Sequence, residues 1–265
     1  MPTDTAAQIA WQEAGSTSNP TLIFLHAMAG SATAWAPQMD AFSSNFRCIA
    51  WDMPGFGDSA DAPDGADMDW TVATLHRFVT QTLGLKSAHI VGLSVGGMIL
   101  QHLAAAYPDL VDSAAILDSS PKFGYGGDSD PDAFADPILA GFDSGTTAAQ
   151  FSDGMIRAIV GPNCSEDVKL ATIKSMSRAR INGLALTTRL IAHHDAVDKL
   201  GDITCPTLAM AGADDAETPP AYAYAIAQMI TGASATIIPN SGHIVNLENP
   251  TPVTARLRFF LEHGL

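Results

Sequence analysis

Short, almost unbroken apolar runs recur along this chain: Thr21–Leu25, Arg47–Trp51, the run ending at Leu93, Ser113–Leu117, Thr207–Ala211 and Ala235–Ile238. A strand that is apolar at successive positions has to be covered on both faces, the situation of a parallel sheet. Helical periodicity fills the intervals. It predicts helices over about 34–42, 70–83 (through Val72, Leu75, Phe78, Val79 and Leu83, with Gly84 as C-cap), 98–107 before Pro108, 220–230 and 252–262. Strand and helix in alternation indicate an α/β chain, a mostly parallel central sheet with helices on both faces. Function in such sheets gathers at the carboxyl ends of the strands. His26, Asp52, Ser94 and Asp118 each fall just past a predicted strand and are expected along one sheet edge.

The pattern changes between residues 120 and 200. Gly124–Pro131 is rich in turn formers, and helical segments follow at roughly 134–141, 147–159, 165–181 and 183–198, with no convincing strand. This is read as a helical lid inserted into a core formed by 1–119 and 201–265. Asp128-Ser129-Asp130-Pro131-Asp132 is not a calcium loop, because Ala133 and Leu139 replace the glycine and glutamate that such a loop needs. Neighbours on one helix do not face one site, so His193 and His194 are expected as solvated side chains rather than metal ligands. Met28, Met98, Met155, Met176 and Trp35 are expected in the core or a pocket wall.

A formal charge of −15, from 13 basic and 28 acidic side chains, repels phosphate backbones and anionic membranes. Nucleic acid and membrane are therefore not expected as partners; a small molecule is. Cys48, Cys164 and Cys205 are widely spaced and odd in number, which suits reduced thiols and a cytoplasmic location. Met1–Thr5 carries neither the basic nor the apolar part of an export signal. No G-x-G-x-x-G opens a helix, and no cofactor is expected.

The chemistry concentrates in His89-Ile-Val-Gly-Leu-Ser94-Val-Gly-Gly-Met-Ile-Leu100. It is a strand, a glycine-bounded turn tipped by serine, and a helix, the setting of a nucleophile elbow. Gly92 and Gly96 let strand and helix pass closely. A serine hydroxyl is a weak nucleophile until a base takes its proton and a third group holds that base. In chain order the candidates are Ser94, Asp215 and His243. Together with L-H-A-M-A-G at 25–30, D-M-P-G-F-G-D-S at 52–59, G-A-D-D-A-E-T-P at 212–219 and S-G-H at 241–243, the elbow resembles the α/β-hydrolase superfamily over nearly the whole chain.

Within that superfamily the chain looks most like the 3-oxoadipate enol-lactonase group, with esterases and cofactor-free haloperoxidases also similar. The resemblance implies a serine hydrolase acting on a small ester or lactone through an acyl-enzyme. It places the carboxylate three residues after Gly212, at Asp215, leaving Asp214 to loop hydrogen bonds and Asp118 as the other acid position, here read as a cap. It implies an oxyanion hole from the backbone amides of Met28 and Val95. Many relatives carry His-Gly where this chain has His26-Ala27, a departure at the turn that positions the Met28 donor. His26 is expected as scaffold and Asp52 as a brace for the Pro-Gly turn. Lys122 falls where enol-lactonases place a basic residue, and Arg157, Arg178, Arg180 and Arg189 are further candidates for holding a substrate carboxylate. Peracid formation, carbon–carbon bond hydrolysis and a ligand receptor that retains the triad are the rival readings.

Overall fold

The computed structural model describes residues 8–28 and 30–264; the first residues of the sequence, and Ala29 of the L-H-A-M-A-G motif, lie outside them. Seven strands form one sheet in the order β1-β3-β2-β4-β5-β6-β7. They are β1 (Trp11–Ala14), β2 (Thr21–Leu25), β3 (Arg47–Trp51), β4 (Ala88–Leu93), β5 (Val111–Leu117), β6 (Thr207–Gly212) and β7 (Ser234–Ile238). Every neighbouring pair is parallel except β1 with β3.

Alternation along the strands divides the core into two layers. Leu22 and Phe24, Cys48 and Ala50, and Val91 and Leu93 face α1 (Ala36–Phe42), α9 (Val245–Glu248) and α10 (Pro250–His263). Ile23 and Leu25, Ile49 and Trp51, and Ile90 face α2 (Met68–Arg77), α3 (Val95–Ala106) and α8 (Pro220–Met229). The fold class expected from the sequence is the one found.

Three local features differ from expectation. β1 carries no apolar run because it is an edge strand, with only Trp11 buried, so its sequence lacks the signal of an inner strand. The helix expected to continue to Leu83 loosens into a π-turn at Phe78–Thr82. The segment expected at 183–198 is α7 (Ile181–Ala192), which stops before His193.

Between β5 and β6 lie α4 (Pro131–Asp143), α5 (Ala148–Ile159), α6 (Glu166–Met176) and α7, and among the described residues no strand. The two ends of this stretch are clasped together. Phe123 N–H donates to the carbonyl of His194 (2.9 Å), and Ala196 N–H to that of Pro121 (2.9 Å). The sheet order reverses direction about β2 and β4, and such a switch point opens a crevice at the strand ends. Met28 follows β2 and Ser94 follows β4, so both stand at that crevice.

Candidate active site

Ser94 sits between β4 and α3 with φ 55° and ψ −120°. A side chain held there stores about 1–3 kcal/mol of strain, which persists only where the surroundings over-determine it. Here they do. Ser94 N–H donates to the Leu117 carbonyl (2.9 Å), and the Ser94 carbonyl accepts from Met98 N–H (3.0 Å) and the Ser119 hydroxyl (3.0 Å). A Cβ on Gly92 would strike the carbonyl of Gly96, and one on Gly96 the carbonyl of Leu25. The turn is closed so tightly that only glycine fits at either position.

His243 follows β7 and points its Nε2 at the Ser94 hydroxyl, 2.9 Å away, while its Nδ1 lies 2.9 Å from Asp215 Oδ2. A carboxylate only accepts, so in the neutral imidazole Nδ1 carries the proton and Nε2 is left with a lone pair aimed at Ser94 Oγ. Asp215 is held in turn. Its Oδ1 accepts from the amides of Glu217 (2.9 Å) and Thr218 (3.0 Å), and its Oδ2 from the Thr218 hydroxyl (2.7 Å). Burial raises the Asp215 pKa, but the charge and proton of His243 and the Thr218 donors outweigh it and leave it lowered. Burial likewise disfavours a charged His243, yet Asp215, with Asp118 and Glu217 behind it, raises that imidazole to about 9.

The other acid candidates separate cleanly. Asp214 is exposed. Asp118 is fully buried at φ 41°, and its carboxylate accepts from the amides of Gly212 (2.8 Å) and Val245 (2.9 Å). It thereby ties the loop that carries Asp215 to the residues just after His243. Burial, then the Asp215 charge, pushes its carboxyl well above the usual range. His26 uses both ring nitrogens in the scaffold: Nδ1–H donates to the Ala27 carbonyl (2.8 Å) and Nε2 accepts from Met53 N–H (2.9 Å). Asp52 accepts from the amides of Ala32 (2.7 Å) and Asp58 (3.1 Å) across its Pro-Gly turn.

Two residues that sequence reasoning passed over support the site. Thr218 is one; the D-x-x-T spacing within a turn was the available signal. Glu248 is the other. It accepts from the amides of Gly161, Gly242 and Ile244 (2.8, 2.9 and 3.2 Å), fastening the His243 loop to the end of α5. Three amides converging from two loops leave no sequence pattern.

Val95 is the first residue of α3, where amides have no acceptor inside the helix. Among the described non-glycine residues only Gln8, Ser94, Asp118 and Asn240 have positive φ, so Ala27 takes its place without strain. Gly30 N–H closes that turn onto the Ala27 carbonyl (2.9 Å). Met28 lines the same cavity as Ser94 and His243, a space of about 680 Å³ that also meets Phe134, Phe151, Met155 and Met176 from the inserted helices. Lys122 does not line it, a correction to its expected place. Its ammonium is on the exposed surface, 3.0 Å from Asp195 Oδ2, because an antiparallel bridge sets Lys122 against Asp195 beside the clasp. His194 is also corrected. It lies beyond the end of α7, is buried, and bonds His102 and the Ser120 carbonyl instead of facing solvent.

A family model for the alpha/beta hydrolase fold matches residues 20–250. This chain belongs to the α/β-hydrolase fold family. The chain is 30% identical over 249 residues to the (E)-2-((N-methylformamido)methylene)succinate hydrolase of Acinetobacter baylyi, with 91% of this chain and 90% of that one covered. Among solved structures it resembles a thermophilic esterase from Thermogutta terrifontis (TM-score 0.87, 24% identity, 97% and 93% covered). It also resembles the enol-lactonase of Burkholderia xenovorans LB400 (TM-score 0.86, 22% identity, 98% of each chain covered). Among the described residues, no helix is long and apolar enough to cross a membrane.

Proposed function

We propose that this chain is a serine hydrolase that cleaves a small carboxylic ester or lactone through an acyl-enzyme. The observation that carries the reading is the unbroken line from Ser94 Oγ through His243 to Asp215, with 2.9 Å at each step, opening on the cavity. In this reading Ser94 Oγ attacks the carbonyl carbon while His243 Nε2 takes its proton. The carbonyl oxygen becomes an oxyanion facing the amides of Val95 and Met28, where one lost donor typically costs on the order of 10²–10³ in rate. Collapse expels the alcohol, or opens the lactone, with the proton returned from His243. A water activated by the same nitrogen then releases the acid. Residues 120–200 act as the lid that sizes the acyl group.

The test is burst and steady-state kinetics with p-nitrophenyl acetate, butyrate and octanoate, beside a lactone panel, on wild type and Ser94→Ala. The expected result is multiple turnover in wild type and a loss of about 10⁴–10⁶-fold in the variant, with the circular dichroism spectrum retained. Near-wild-type turnover in Ser94→Ala overturns the mechanism. One burst with no further turnover overturns it in favour of a receptor.

A further inference from the structure

Resting on the ester or lactone reading, we propose that the cavity over Ser94 selects substrates whose acyl part carries no negative charge, and that Glu217 at its rim enforces the choice. Among the described residues lining the cavity there is no lysine or arginine. Glu217 aside, the polar groups that reach it from the cover, the 217–222 stretch and the 120–129 turn are neutral hydroxyls and an amide: Ser120, Ser129, Gln150, Thr218 and Tyr222. Apart from His243, which is committed to Asp215, Glu217 is the charged side chain in the wall, and it is exposed, at the point where the cavity meets solvent.

Three of the candidate cations are engaged elsewhere, and neither Arg178 nor Arg189 lines the cavity. Lys122 pairs with Asp195 and Arg157 with Asp153 and Glu166. Arg180 is held by Asp61 and by the carbonyls of Gly57 and Ser59. A carboxylate on the acyl chain would lose its hydration against methionine and phenylalanine with no cation to replace it. It would also enter past a like charge. A neutral ester meets neither obstacle, because its oxygen needs only the amide donors.

The same arrangement acts on the product. Hydrolysis turns a neutral acyl group into a carboxylate inside this cavity, where Glu217 repels it, so the charge that screens substrates also helps expel the acid. A merely structural Glu217 would do neither.

The experiment compares three esters of similar length: p-nitrophenyl butyrate, the mono-p-nitrophenyl ester of glutaric acid with its free carboxylate, and the methyl p-nitrophenyl diester of glutaric acid. Each is measured on wild type, Glu217→Gln and Glu217→Arg, with butyrate as product inhibitor. In wild type, kcat/KM for the free-carboxylate ester should fall on the order of 10²-fold below that of its methyl ester, and added salt should narrow the gap. The gap should shrink in Glu217→Gln and further in Glu217→Arg, while butyrate inhibits both variants more strongly than wild type. A wild-type ratio near one, or a ratio and product inhibition that neither variant moves, overturns the proposal while leaving the hydrolase intact. No turnover of any of the three esters overturns the ester reading itself and this proposal with it.

Discussion

The floor of the cavity and its cover are built on different principles. On the floor, the polar atoms of the Ser94–His243–Asp215 line are paired, and three loops are bolted together by the buried carboxylate of Asp118 and the half-buried one of Glu248. The cover offers mainly apolar side chains. It is tied down at a few points: Arg180 and Asn182 onto the 57–62 turn, Ile159 and Gly161 onto the His243 loop, and the clasp at its base. On the proposed reading, chemistry that needs tenths of an ångström rests on strand ends, and selection on side chains whose exchange leaves those ends in place.

That contrast is broken most severely from the floor. Asp215→Asn leaves the shape of the site but removes the charge that fixes the His243 tautomer, and kcat should fall by about 10⁴. It should also move the pH profile. His243 has to be neutral to take a proton, so activity grows as pH rises through its pKa. With that pKa raised to about 9, the ascending limb in wild type lies above the 6.5 of a free histidine, and Asp215→Asn should bring it down. The stability counterpart has the matching sign: the contribution of the pair is complete below 6.5 and is lost as pH climbs toward 9. A limb that stays put in the variant would mean that Asp215 is not what holds His243.

Legibility in the sequence follows the same division. The inner strands, the elbow, and the order Ser94, Asp215, His243 could be read because each depends on local pattern: an apolar run, a glycine spacing, a residue just past a strand. The loop carrying Lys122 could not be oriented, because its direction is set by pairing with Asp195, distant in the chain. His194 was misplaced for a related reason. Periodicity does not mark the end of α7 at Ala192, and a helix that ends there releases the histidine into the seam between cover and core.

That seam should have its own pH signature. Lys199 Nζ donates to His102 Nδ1 (3.1 Å), so His102 Nε2–H donates to His194 Nδ1 (3.2 Å) and His194 Nε2–H to the Ser120 carbonyl (2.8 Å). The direction of every bond requires both rings to be neutral. Burial, reinforced by the Lys199 charge, holds His102 at about 4, and burial above all holds His194 at about 3. Below 6.5 the unfolded chain takes up protons that the folded chain refuses. Stability should therefore be full above 6.5 and fall with acidification, by up to about 1.4 kcal/mol per pH unit for each ring. Urea midpoints across a pH series should show this slope, and His194→Asn should flatten it while lowering stability at neutral pH. An unchanged slope would show that the acid sensitivity comes from other groups.

The smallest effect is expected at the outer rim of the cover, at Lys122→Ala. Both partners of the Lys122–Asp195 pair are about half exposed, 52% and 50%, and such pairs contribute about 0–1 kcal/mol. The clasp beneath runs through the backbone of Pro121, Phe123, His194 and Ala196, which is indifferent to the side chain at 122. Lys122→Ala should accordingly shift the urea midpoint by less than about 1 kcal/mol and leave the ratio of kcat/KM for the free-carboxylate and methyl esters where it is in wild type. If that ratio instead falls further, the ammonium reaches the substrate in the working enzyme. The cover would then supply a cation that the resting arrangement spends on Asp195, and the division between a chemical floor and an apolar cover would have to be redrawn.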